Sequence, residues 1–468
     1  MSSAIWSVDD HLEDILAAIR PLDPIELHLL DAQGCVLVED ITVPVALPPF
    51  DNSSMDGYAV RVADVRGATE EFPAVLAVVG DVAAGGAGLP TVGPGQAARI
   101  MTGAPLPPGA EAVVPVEWTD GGTGGGAATG MLPAQAAPEG ASGEVRVNRP
   151  ADEGAHVRPR GSDVQAGDLA LARGTVLGPP QIGLLAAIGR ATVRVRPRPR
   201  VVVLSTGSEL VQPGEALGEG QIYDSNSFAL AAAARDAGAI AYRVGAVTDD
   251  ADTLRATIED QLIRADLLVT TGGVSVGAYD VVKEALSTVG ETTAGVVGDA
   301  TGETAGDPAG AGGGPGGETA AGGGGVGGVV GGVVDFRTLA MQPGKPQGFG
   351  TIGRDHTPLL ALPGNPVSSY VSFELFVRPA IRTLMGLTDP HRPSTPAVLK
   401  ADGPLRSPAG KRQFLRGAYD PASATVTPVG GSGSHLVAAL AHADCLIVVP
   451  ERETSVDPGT EVEVILLG

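Results

Sequence analysis

Residues 266–280 read DLLVTTGGVSVGAYD, and the first six of them look like a strand buried on both faces: short, apolar, rich in Leu, Val and Thr, and ended by glycines. Toward the N-terminus, VVVL (201–204) has the same character. Between these two runs the sequence predicts a helix from Ser227 to Ala237 closed by Gly238, a strand at 240–244, and a helix at 250–264. Leu254, Ile258 and Leu262 form the apolar stripe of that second helix. Toward the C-terminus the pattern resumes at 333–341 and at PLLAL (358–362). A helix then opens through Asn365-Pro366, where proline is pre-organised for the first helical position. Buried strands alternating with helices predict a doubly wound α/β domain with a parallel sheet.

Further out, residues 7–20 predict an amphipathic helix with Ser7 as N-cap and Leu12, Ile15, Leu16 and Ile19 on one face. From 26 to about 196, short β-type runs such as 74–79 and 111–116 are broken by Gly and Pro, and no long helix is expected before 180–188. Beyond Pro390, runs at 413–419, 424–429, 445–449 and 461–467 predict a small separate β domain. Two stretches stand apart. Residues 291–332 hold 18 Gly in 42 positions with five acids, no Lys or Arg and no aromatic, which predicts a disordered insertion; 119–144, with 8 Gly in 26, predicts a long surface loop. A G-x-G-x-x-G match within 310–325 follows from glycine content alone and has no strand before it.

The chain of 468 residues carries 31 Lys and Arg against 54 Asp and Glu, a net charge of −23. A polyanion of that size repels the phosphate backbone that dominates nucleic-acid affinity, so DNA and RNA partners are not expected. Only Cys35 and Cys445 occur, too few for a disulfide framework or a cysteine zinc cluster. The opening MSSAIWSVDDHLEDIL has no cationic n-region and places acids where an apolar core would be, which predicts a cytoplasmic protein. No run reaches the ~18–20 apolar residues of a membrane span.

In open α/β sheets ligands bind beyond the carboxyl ends of the strands. Four segments lie there: STGSEL (205–210), TDD (248–250), TGGVSVGAYD (271–280) and LPGNPVSS (362–369). Each joins Gly or Pro, which lets backbone approach a ligand, to a hydroxyl or carboxylate. Singly they read as turn glycines and helix caps; together they predict a site for a phosphate-bearing ligand. Glu209, Asp224, Asp249 and Asp280 would crowd that edge, and oxygen ligands beside phosphate suit Mg²⁺, although solvated loop acids are the alternative in so acidic a chain. GVSVG (273–277) also matches the G-x-S-x-G nucleophile elbow, which would make Ser275 a serine-hydrolase nucleophile with His356, His435 or His442 as base. No histidine falls in a loop that the sequence ties to the α/β sheet.

Two segments of the β-rich half, PPFDNSSMDGYAV (48–60) and IMTGAPLPPGA (100–110), are unusual for surface loops. With RPRGSDV, STGSEL, QIYDSN, TTGGVSVGAYD, QPGKPQGFG and LPGNPVSS, in that order, and GSGSH at 431–435, the sequence resembles the molybdopterin molybdenumtransferases, the MoeA family, whose fold recurs as the E domain of gephyrin. The resemblance implies a homodimer of elongated subunits. Its domains would be an N-terminal helix (1–20) packed on the α/β domain; an elongated linker domain (21–50 and 148–196); a β-rich domain (51–147) facing the partner subunit; a MogA-like molybdopterin-binding α/β domain (197–388); and a C-terminal β domain (389–468).

The activity so implied is insertion of molybdate into adenylylated molybdopterin with Mg²⁺, releasing AMP and molybdenum cofactor, downstream of a molybdopterin adenylyltransferase. Matched by motif, Glu209, Asp249 and Asp280 surround the adenylyl phosphates and the metal. Gly272, Gly273, Ser275 and the loop Pro363, Gly364, Asn365, Pro366 hold pterin and phosphate. Lys345, Ser368, Arg416 and Ser434 gather oxyanions, and Asp56, Thr102 and Asp163 act from the half that faces the partner's cleft. Three positions depart from the pattern: Gln342 and Thr338, with Arg337 adjacent, stand where lysines are frequent, and Ser208 where Asp is common. These departures leave a cofactor-binding or scaffold protein without turnover as the second reading, and the serine hydrolase as the third.

Overall fold

The computed structural model describes residues 5–86, 88–123, 126–130, 143–248, 250–273, 281–287 and 332–468. The Gly-rich stretch expected as an insertion lies outside them apart from Gly332, as does most of the loop expected at 119–144. The described residues form two compact units, one of residues 1–25, 34–36 and 196–468 and the other of 26–33 and 37–195.

The first unit is built on a seven-stranded sheet in the order Ile5–Trp6, Gly332–Leu339, Pro346–Ile352, Thr357–Leu362, Leu267–Thr271, Arg200–Thr206, Ile240–Val247. The four strands at the end of that order run parallel to one another. Period-two alternation divides their side chains between two cores. Val201, Val203, Leu267 and Val269 pack with Leu230 and Ala234 of the helix Asn226–Asp236 and with Ile15 of the N-terminal helix. Val202, Leu204 and Leu268 pack with Leu254 and Ile258 of the helix Ala251–Leu262. Helices thus cover both faces, as buried parallel strands require.

The sheet is mixed rather than wholly parallel, because Pro346–Ile352 runs antiparallel to both of its neighbours. Gly348 and Gly350 make this strand read as loop in the sequence. The structure shows why they are glycine: a Cβ on Gly348 would meet Phe336 at 2.8 Å and Ala361 at 2.9 Å, and one on Gly350 would meet the Val333 carbonyl oxygen at 2.0 Å. The N-terminal helix spans Val8–Ala18, its N-cap Ser7 accepting from the Asp10 amide at 2.9 Å. Within the same unit, the strands Arg412–Asp420, Thr425–Pro428, Ser394–Leu399, Glu461–Leu466 and Cys445–Val449 close on themselves as a small barrel. Ser394–Leu399 was not expected from the sequence. Met341–Gln342 pairs with the start of Arg412–Asp420 and joins barrel to α/β core.

The second unit centres on a five-stranded sheet of Glu144–Val147, Ala74–Val82, Gln96–Ile100, Gly57–Val60 and Ala112–Pro115. Tyr58, Val60, Leu76, Val78 and Val114 form its core.

Candidate active site

A cleft of about 970 Å³ opens at the carboxyl ends of the parallel strands. Three segments expected from the sequence converge on it. Arg200–Thr206 runs into Gly207 and Glu209, Leu267–Thr271 into Gly272 and Gly273, and Thr357–Leu362 into Pro363, Gly364, Asn365 and Pro366. Both glycines after Thr271 have positive φ, +99° and +62°. A Cβ on Gly272 would come within 2.6 Å of the Thr206 carbonyl oxygen and 2.8 Å of its Oγ1; one on Gly273 would meet Val282 at 2.8 Å. The Thr206 hydroxyl beside them is buried and has no hydrogen-bond partner among the described residues, an arrangement that a bound oxyanion or metal-bound water would satisfy.

Glu209 brings an exposed carboxylate to this edge. Asp224, expected to crowd it as another acid, is fully buried and already engaged. It accepts from Ser205 Oγ at 2.8 Å and from the amide and hydroxyl of Ser227 at 3.1 and 2.5 Å, with Arg243 Nη1 at 3.7 Å. Three hydrogen bonds and an ion pair engage the carboxylate, so Asp224, although it lines the cleft, is committed to fastening the 223–227 turn. Asp249, Ser275 and Asp280 lie outside the described residues. No cluster of three or more His, Cys, Asp or Glu that could hold a metal ion occurs among the described residues.

The opposite wall carries Lys345, Ser368 and Gln342, together with His435 and Val437 from the C-terminal part of the chain. Lys345 is exposed and makes no ion pair among the described residues. Its turn is held from beneath, where Gln347 Nε2 donates to the Gly344 carbonyl at 2.7 Å and to Ser372 Oγ at 2.6 Å. Ser434 joins this wall through its backbone, accepting from the Val367 amide at 3.0 Å. Arg416 is 3% exposed and donates to the carbonyls of Val429, Gly431 and Gly433, thereby shaping the 429–435 loop. Burial pulls its guanidinium below the usual range, and no carboxylate pairs with it among the described residues. A buried cation without an acid favours an anion nearby.

Of the two positions where lysines are frequent in the family pattern, Gln342 faces the cleft and Thr338 does not, being a strand residue paired with Ile5 and Pro346. Arg337 is not a substitute. It pairs with Asp14 and Asp335 and stacks 3.7 Å from the Trp6 ring centroid. His435, placed by sequence in the terminal β module, reaches the cleft, whereas His356 sits before Thr357, at the far end of its strand. Asn226 and Thr271 also line the cleft; QIYDSN and TTGG contained them, but nothing in either motif gave them a task.

Asp56, Thr102 and Asp163 belong to the second unit. Asp56 Oδ1 accepts from the amide and hydroxyl of Thr102 at 2.7 and 3.0 Å, so those two come together on an exposed turn. Asp163 is exposed, its amide donating to the Leu47 carbonyl at 3.0 Å.

Residues 6–189 match the MoeA N-terminal region (domain I and II), 202–326 and 310–383 a probable molybdopterin binding domain, and 398–467 the MoeA C-terminal region (domain IV). The chain belongs to the MoeA family. Among its MoeA relatives, molybdopterin molybdenumtransferase 2 of Mycobacterium tuberculosis is 43% identical over 458 residues, covering 98% of each chain. Molybdopterin molybdenumtransferase of Bacillus subtilis is 32% identical, covering 94% of this chain and 89% of its own. A crystal structure of a molybdopterin biosynthesis MoeA protein from Pyrococcus horikosii superposes with a TM-score of 0.67 at 30% identity, covering 99% of this chain and all of that one. Membership of the MoeA family does not favour the serine-hydrolase reading of GVSVG.

Proposed function

We propose that this protein is a molybdopterin molybdenumtransferase that inserts molybdate into adenylylated molybdopterin with Mg²⁺, releasing AMP and molybdenum cofactor. The observation that carries the reading is the division of the cleft. One edge offers Glu209, the glycine turn and a buried hydroxyl with no partner among the described residues; the other offers Lys345 and the 429–435 loop that Arg416 shapes, neither cation being paired with an acid among the described residues of a chain with net charge −23. A phosphoanhydride calls for the first kind of surface and an oxyanion for the second. The names of the curated relatives support the same activity.

Glu209 suits Mg²⁺, which is commonly held by one or two carboxylates together with substrate phosphates, and Asp249 and Asp280 would complete its protein ligands. When bound, the ion neutralises phosphate charge and eases departure of AMP. The chain's own residues bind and orient. Gly272, Gly273 and residues 363–366 hold pterin and phosphate through close backbone approach and Ser275 by hydrogen bonding, while Lys345, Ser368, Ser434 and Arg416 gather molybdate. Asp56, Thr102 and Asp163 serve the partner's cleft in a homodimer. The substrate comes from a molybdopterin adenylyltransferase, and the setting is the cytoplasm. No described helix is long and apolar enough to cross a membrane. The test is molybdate-dependent AMP release from adenylylated molybdopterin by the purified protein; release that is absent, or indifferent to molybdate, overturns the assignment.

A further inference from the structure

The turn 223–227 makes hydrogen bonds that its sequence did not announce. Asp224 fastens it to the end of the Arg200–Thr206 strand through Ser205 Oγ. Asn226, the first residue of its helix, reaches the other way. Its Nδ2 donates to Thr271 Oγ1 at 3.0 Å and to the Gly364 carbonyl at 2.7 Å, using both amide hydrogens. Thr271 Oγ1 lies in turn 3.1 Å from the Pro363 carbonyl and 3.0 Å from Ser369 Oγ. One assignment satisfies every group: Thr271 accepts from Asn226 and Ser369 and donates to Pro363. Two strand ends are thus cross-linked through Thr271 and Asn226, and Asp224 ties the same turn to a third.

We infer that Asn226 is a positioning residue, an amide clamp that sets the spacing between the Thr271–Gly273 turn and the 363–366 loop and so shapes the cleft for its phosphate-bearing substrate. The two segments it joins are the two that approach most closely. A Cβ on Gly364 would lie 3.4 Å from Gly272 Cα, and the Gly272 amide donates to the Leu362 carbonyl at 3.2 Å. The strands pair directly as far as Thr271 and Leu362, and past that point the side-chain links between the two loops among the described residues run through Asn226 and Thr271. Asp224 anchors the clamp in the core, so the helix keeps its place whatever stands at 226. Thr271 and Ser369 are buried, at 1% exposure each, and cannot exchange their bonds for water without loss. The assignment of substrate rests on the function proposed above; the clamp itself does not.

Two readouts separate those claims. Hydrogen exchange needs no substrate. Asn226→Ala should raise amide exchange in peptides covering 360–372 while leaving those covering 201–204 protected, and Asn226→Asp, which keeps the side-chain size, suits a helix N-terminus and loses both donors, should do the same. Steady-state kinetics then read the consequence: for Asn226→Ala the KM for adenylylated molybdopterin should rise about tenfold, with kcat changed by less than about threefold. Thr271→Val added to Asn226→Ala should raise KM little further, because both remove one linkage. Unchanged exchange at 360–372 in both variants overturns the clamp, and loosened exchange with an unchanged KM overturns its part in placing substrate. If the wild type releases no AMP, the proposed function falls and the exchange result alone decides the clamp.

Discussion

The carboxylate of Glu209 folds back over Gly207, so that a Cβ built on Gly207 would meet Oε2 at 2.6 Å and Oε1 at 2.8 Å. The STGSEL motif therefore needs glycine at its third position to seat the acid of its fifth. Gly207→Ala should displace the carboxylate, since the clash lies with the movable end of a side chain, and should add backbone strain because φ at 207 is +151°. Glu209→Ala should abolish Mg²⁺-dependent AMP release, and Gly207→Ala should raise the Mg²⁺ needed for half-maximal release by roughly tenfold. A Mg²⁺ titration of both variants checks this, and wild-type behaviour in either removes Glu209 from the metal site.

Molybdate is a dianion and must be met by charge or several donors to leave water. With Arg337 held by Asp14 and Asp335, and Gln342 at the cleft in place of a lysine, the exposed charge falls to Lys345. Lys345→Ala should raise the molybdate concentration for half-maximal insertion at least tenfold, about 1.4 kcal/mol, and Gln342→Lys should lower it. Binding of adenylylated molybdopterin should be spared in Lys345→Ala. Equal molybdate dependence in wild type and Lys345→Ala places the oxyanion elsewhere.

Gly272 shares a positive φ with Gly207 but meets a different kind of obstacle. Its φ is +99° and the atom in the way is the Thr206 backbone oxygen, at 2.6 Å, which cannot swing aside. Gly272→Ala should destabilise the first unit by roughly 1–3 kcal/mol and weaken substrate binding as well. Urea unfolding of the variant tests the first part. A wild-type midpoint means that the turn relaxes, and the argument for backbone approach to phosphate there is lost.

The fold was legible wherever burial imposed a period. The strands at 201–204, 266–271 and 358–362 and the helices after 225 and 250 stand within a few residues of where Val, Leu and Ala patterns put them, and so do the loops at their ends. What escaped has a physical cause in each case. Pro346–Ile352 hides because close packing against Phe336 and Ala361 demands glycine, the residue that otherwise signals a loop. Asp224 looked like one more edge acid, because nothing local shows that Ser205, Ser227 and Arg243 converge on it from both sides along the chain. His435 and Asn226 reach the cleft only through tertiary packing. Arg337 pairs with Asp335 two residues away and with Asp14 from the far N-terminal helix, and only the first of these is near enough in sequence to be suspected.

His11 illustrates that last point and yields a prediction about pH. On the buried face of the N-terminal helix it is 1% exposed, its ring edge-on to Phe376 at 4.9 Å. Arg337 Nη1 lies 3.4 Å from Nδ1, a nitrogen that can accept only while the imidazole is neutral. Burial and the Arg337 charge push its pKa down to about 4, against the opposing pull of Asp14 and Asp335. The unfolded chain, with an ordinary value near 6.5, therefore binds the proton more readily than the folded one. Stability from this residue is complete above pH 6.5 and is lost as pH falls toward 4, at about 1.4 kcal/mol per pH unit and about 3 kcal/mol in all. His11→Gln, neutral throughout, should remove that slope. Urea midpoints at pH 7, 6 and 5 should converge between wild type and variant as the pH drops. Parallel curves across that interval mean that His11 titrates alike in both states and that the Arg337 contact does not hold it neutral.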